Sequence, residues 1–168
     1  MSESLWLAGE EYLKAQLLAN MGGAGDYTSL VLDSVKVWPR FDVSHFTNLP
    51  LPLAVISSFS GSADPAGHGA ASRTATEDEF RFVLSFVCAG NRETANTNAK
   101  ILLARGLKLL KTLRFGTVVD DDDNKLDRVI RGDTMFRYGV DLWDKLSSEA
   151  EQVYGIGYVD FYLRGVTA

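Results

Sequence analysis

The apolar positions of this chain fall into stretches of two different periods. Over residues 3–20, Trp6, Leu13 and Leu17 lie on one stripe of a helical wheel, with Glu10, Glu11 and Lys14 mostly off it. Asn20 and the GGAG of residues 22–25 end that helix, since glycine is a favoured helix terminator. A short strand follows near Ser34–Trp38, closed by Pro39, and Leu51–Phe59 reads as a second. Pro50 and Pro52 lie at its start, where a missing ladder donor is tolerated. Phe80–Cys88 alternates strictly. Phe80, Phe82, Leu84, Phe86 and Cys88 share one side, and Arg81, Val83, Ser85 and Val87 the other. The period then changes. Ala95, Ala99, Leu102, Leu103, Gly106, Leu107, Leu110 and Leu113 make one broad helical arc, opposite Lys100, Arg105, Lys108 and Lys111. Each buried leucine of such an arc contributes about 1.5–3 kcal/mol, so this helix is a central core element that covers the aromatic side of the preceding strand. Met135–Trp143 and Val153–Leu163 alternate again. In the last, Val159, Phe161 and Leu163 share a face with Gly155 and Gly157, and strand glycines mark a close backbone approach.

This order predicts an α+β fold: a mainly antiparallel sheet of about five strands, covered on one side by an N-terminal helix and a long central helix. Residues 60–79, SGSADPAGHGAASRTATEDE, have no apolar period. Their composition buries too little to offset its ordering entropy, so they read as a long mobile loop between two strands. Loops of that length in compact domains are usually functional or disordered. The 168 residues read as one domain, 1–168.

Composition narrows the function classes. The net charge of −5 argues against a dedicated nucleic-acid binder, which would show a basic patch for phosphates. No apolar run approaches the ~18 residues of a membrane span, and the N-terminus carries acids where a signal peptide carries basic residues. Cys88 is the sole cysteine, which rules out an intrachain disulfide and places synthesis and folding in a reducing cytoplasm.

Four stretches invite a chemical reading. CAGNRETAN, between strand and helix, has the layout of many phosphate sites but one glycine and neither G-x-G-x-x-G nor a P-loop. Asn91 suits a helix cap there and Glu93 the positive end of the helix dipole. The acidic run Asp120, Asp121, Asp122, Asp123 fails the calcium-loop spacing, because the sixth position is Lys125 and the twelfth Arg131. It reads as a solvated acidic loop. His68 lies in the loop beside Gly67 and Gly69. His45 has Asp42 and Ser44 nearby, but no nucleophile elbow G-x-S-x-G occurs. Cys88 reads as a small core residue. The expectation is a protein with no catalytic constellation, no cofactor and no metal.

The whole layout resembles the tail terminator proteins of long-tailed bacteriophages. The resemblance rests on the N-terminal helix, a short strand, a strand introduced by LPLPLAVISS, a large loop, a strand flowing into a long amphipathic helix, and a final strand such as YGIGYVDFYLR. It covers nearly the whole chain, through the pattern and length of elements rather than signature residues. It implies a virion protein, assembled in the host cytoplasm, that forms a ring, typically a hexamer, at the head-proximal end of the tail. The ring caps the tail tube, stops its polymerisation and joins the neck or head-completion proteins, while DNA passes without specific binding. No catalytic residues come with the family. A head-completion or neck ring protein is the alternative within assembly, and a small-molecule-binding α+β domain the alternative outside it. The candidate assembly interface comprises Arg73 in the loop, Arg105, Lys108 and Lys111 on the helix, and Asp120, Asp121, Asp122 and Asp123 on the linker.

Overall fold

The computed structural model describes residues 4–46, 48–65, 76–128, 134–145 and 152–167. Helix α1 spans Leu5–Met21, and the Ser4 side chain caps it by accepting from the Leu7 amide. Its buried seam, Leu5, Gly9, Leu13, Leu17 and Met21, recurs every fourth residue. Trp6, expected on that seam, sits at its flank instead. Its ring packs against Phe80 with centroids 5.3 Å apart, and it is only partly buried.

Strand β1 is Ser34–Val37, β2 Leu53–Pro65, β3 Thr76–Asn91, β4 Leu126–Arg128, β5 Arg137–Asp144 and β6 Gln152–Thr167. They form one six-stranded sheet in the order β1-β2-β3-β6-β4, with β5 also paired to β6. Only β1 and β2 run parallel. The fold is α+β, as the periodicities predict. Strand β4 is an addition, lying partly in the acidic linker and too short for any alternation to show.

The expected loop 60–79 is shorter than its composition implies. The β2–β3 ladder continues from Ser60 opposite Arg81 to Pro65 opposite Thr76. Strand β3 pairs with β6 over the same stretch, Thr76 with Thr167 through Glu79 with Arg164. Residues 60–65 and 76–79 are therefore strand, and 66–75 lie outside the described residues. Ladder hydrogen bonds are made by backbone, so small polar side chains do not prevent them once a neighbouring strand is in place.

Helix α2, Arg92–Thr112, lies with α1 on one face of the sheet. Gly155 and Gly157 open the surface of β6 to it. A Cβ at those positions would stand 2.2 Å from the Ala95 carbonyl oxygen and 2.6 Å from that of Ala99. Gly106 does the same from the helix side, where a Cβ would meet the Phe86 ring at 2.3 Å. Phe82, Leu84, Phe86, Leu102, Leu110 and Phe161 fill the core between the layers. The opposite face is covered at one end by the segment between β1 and β2, which lays Phe46 over Leu53, Val55, Val87, Tyr154 and Ile156. The two apolar clusters lie on opposite faces because alternate residues of each strand point to them.

Candidate functional site

The strand-to-helix turn is built to hold the fold. Strand β3 enters α2 with no intervening loop. Asn91 Oδ1 accepts from the Thr94 amide at 2.8 Å, Glu93 occupies the first turn, and Gly90 is paired with Val153 in the ladder. One first-turn amide is thus already capped by the chain itself, as the sequence predicts.

His45 lies in a 3₁₀ turn, Val43–Phe46. Asp42 Oδ1 accepts from the Ser44 amide at 2.8 Å and also from the Ser44 hydroxyl, while His45 Nδ1 accepts from the Asp42 amide at 2.8 Å. The serine addresses the carboxylate and not the imidazole, so the three do not form a nucleophilic relay. Hydrogen bonds from the Ser44 hydroxyl, then its amide, hold the Asp42 carboxyl below its ordinary value. The His45 ring lies 5.4 Å from that of Trp38, so the turn closes the connector on itself. Cys88 Sγ is 3.4 Å from the carbonyl oxygens of Ala95 and Gly155, and burial pushes its thiol up to about 11. Little thiolate forms at neutral pH, as expected of a core cysteine. His68 lies outside the described residues.

The candidate interface residues divide into two groups, with Arg73 outside the described residues. Arg105 and Asp120 have work within the chain's own fold. The Arg105 guanidinium donates to the carbonyls of Ser29 and Leu30 at 2.9 and 3.3 Å and lies 4.0 Å over the Tyr27 ring, tying the segment after α1 to α2. Asp120 is only 5% exposed. It accepts from the Asp122 and Asn124 amides at 2.9 Å each and from Asn124 Nδ2 at 2.8 Å. Burial pushes its carboxyl up, but these hydrogen bonds outweigh burial and hold it below its ordinary value. The second group, Lys108, Lys111, Asp121, Asp122 and Asp123, is exposed. The acidic run therefore does not converge on one point, since Asp120 turns inward and the next three face water. Among the described residues no three His, Cys, Asp or Glu side chains are grouped to hold a metal ion.

A further surface was not read from the sequence. On the sheet face away from the helices lies a depression of about 380 Å³ whose walls include Phe41, Val83, Ser85, Trp143, Ile156 and Tyr158. Asp141 and Arg40 stand at its rim, both exposed. The Phe41 and Trp143 ring centroids are 5.8 Å apart, and Ser57 Oγ donates to the Trp38 carbonyl at 2.7 Å beside them. On the other face of β5, the helix side, Tyr138 at 62% and Leu142 at 36% exposure pair with Val159 and Gly155. Two signals pointed to the depression: the aromatic residues Trp38, Phe41 and Phe46 inside a connector, and apolar residues on both faces of β3 and β6.

What the fold and these surfaces define is an α+β chain with two unlike outward faces, one formed by the helices with the exposed lysines of α2, the other a half-covered sheet. No protein-family model matches the chain, and no curated protein matches it. Among the described residues no helix is long and apolar enough to cross a membrane.

Proposed function

We propose that this chain is a structural subunit of a phage tail that assembles into a ring, caps the tail tube, terminates its polymerisation and meets the neck or head-completion proteins. In that reading it resides in the virion at the head-proximal end of the tail. The observation that carries the assembly part is the pair of unlike outward faces on opposite sides of one sheet. A ring requires a heterologous contact, in which one patch meets a different patch on the neighbour and rotation closes the circle. The tail assignment draws its support from the resemblance in element order, with α1, β1, the β2–β3 hairpin, α2 and the final strands following one another as in tail terminators. An acidic chain suits a conduit that DNA must pass without adhering.

One observation favours a second reading. The depression of about 380 Å³ falls within the ~300–1,000 Å³ range of small-molecule pockets, and its walls are apolar with a few polar groups. The two readings separate in purified protein. Size-exclusion mass and negative-stain images should show closed rings with a central hole. A compact monomer whose melting temperature rises with a small ligand supports the binding domain instead.

A further inference from the structure

The outward face of α2 carries more than charge. Lys100, Ile101, Ala104, Lys108 and Lys111 follow one another at helical spacing, and all are exposed. Ile101 is 37% exposed. With Ala104 one turn on, it makes a low apolar ridge flanked by ammonium groups. On the far side of the sheet the depression offers the converse. Its walls are apolar and aromatic, and Asp141 stands at one rim. Arg40 at the rim disfavours an approaching ammonium group, so the Asp141 side alone suits a lysine.

We infer that a second copy of this chain lays the outward face of its α2 across this depression, with Ile101 and Ala104 against the aromatic walls and Lys108 on Asp141. Apolar contact supplies area, and the lysine–carboxylate pair fixes the register. The two faces differ and lie on opposite sides of the sheet, so each copy is at once donor and receiver. Repeated by rotation, such a contact closes a ring. This inference rests on the ring reading above and names the surfaces that would build it.

Two measurements on the full chain test it. In a variant carrying both Lys108→Cys and Asp141→Cys, the pair placed in contact, the sheet separates the two thiols of one chain, so a disulfide joins different copies only. Mild oxidation should then give a covalent ladder that stops at ring size, whereas a chain with only one of the two introduced cysteines should give dimers at most, since the native Cys88 is buried. In sedimentation velocity, Asp141→Lys should abolish the ring peak with the unfolding midpoint unchanged, and adding Lys108→Asp should restore it. Rings that survive Asp141→Lys and yield no ladder would overturn this docking while leaving the ring reading in place. A chain that stays monomeric throughout, with no ladder, would remove both.

Discussion

At the scale of single residues, Asp120 shows how a charge that reads as surface decoration can become part of the frame. Its carboxylate accepts three hydrogen bonds and closes the turn that leads into β4. Its cover comes from its own loop, so solvent still moderates its field. Replacing it with alanine leaves those donors without their acceptor and should cost about 1–3 kcal/mol in urea unfolding at neutral pH. The pH dependence has a definite sign. The folded carboxyl titrates below its ordinary value, so its stabilising effect is present above that value, about 3.9, and is lost as pH falls through the lower folded one. The stability gap between the wild type and Asp120→Asn should therefore narrow as the pH drops below about 4. A gap that stays constant from pH 7 to pH 3 would mean that the charge contributes nothing and only the shape of the side chain matters. Nothing in a row of four aspartates distinguishes the one that turns inward. That choice is made by Asn124, four residues on, and by backbone amides that the sequence does not display.

Elements were legible where a period repeats over several turns and illegible where order is borrowed from a neighbour. The apolar arc of α2, from Ala95 to Leu110, is the face that the structure buries. Leu110→Ala should therefore cost about 2–5 kcal/mol, through lost transfer energy and the cavity left behind. A loss below the lower bound in chemical denaturation would mean that the site collapses around the vacancy. The glycines of β6 were equally readable as a point of close approach, and their partner is the backbone of α2 itself. A carbonyl in a helix cannot swing aside as a side-chain tip can. Gly155→Ala and Gly157→Ala should thus each destabilise by about 1–3 kcal/mol, with Gly155 the worse. Gly23→Ala, where a Cβ meets nothing within 4 Å, serves as the control and should change stability little. The arms of the β2–β3 hairpin and the short β4 went unread for a common reason. Their order comes from β6, which lies far away in sequence and pairs with β3 and β4 through backbone groups that any composition supplies. The half-covered sheet face was missed because its parts come from five separate segments, the β1–β2 connector, β2, β3, β5 and β6, each of which has an ordinary local reading.

For the whole molecule, the proposed ring requires an acidic chain to associate with copies of itself. Two electrostatic effects compete. Each chain carries a net charge of −5, so like charges would repel across the proposed ring. That repulsion acts between centres much farther apart than the Debye length of about 8 Å at physiological salt, so most of it is screened. A direct pair between a carboxylate and a neighbour's ammonium group acts at about 4 Å, where it is worth about 1 kcal/mol even in bulk water. Contact pairs should therefore outweigh the general repulsion wherever they form, and a ring repeats each pair at every interface. Asp121 and Asp122 are exposed, on a turn that follows Phe115 and Val118 of the core cluster. If they meet a neighbour's basic side chains, Asp121→Asn with Asp122→Asn should weaken assembly, more at low ionic strength than at high, where screening has already removed much of the attraction. The subunit's own stability should stay within about 0.5 kcal/mol of wild type, the usual range for surface changes. Analytical ultracentrifugation across ionic strength, beside urea unfolding, reads both quantities. The opposite sign is equally informative. Stronger assembly at low salt would mean that removing two charges only relieves repulsion. The acidic loop would then face solvent in the ring, and the contact would be left to the ridge of α2 and the sheet depression it is inferred to cover.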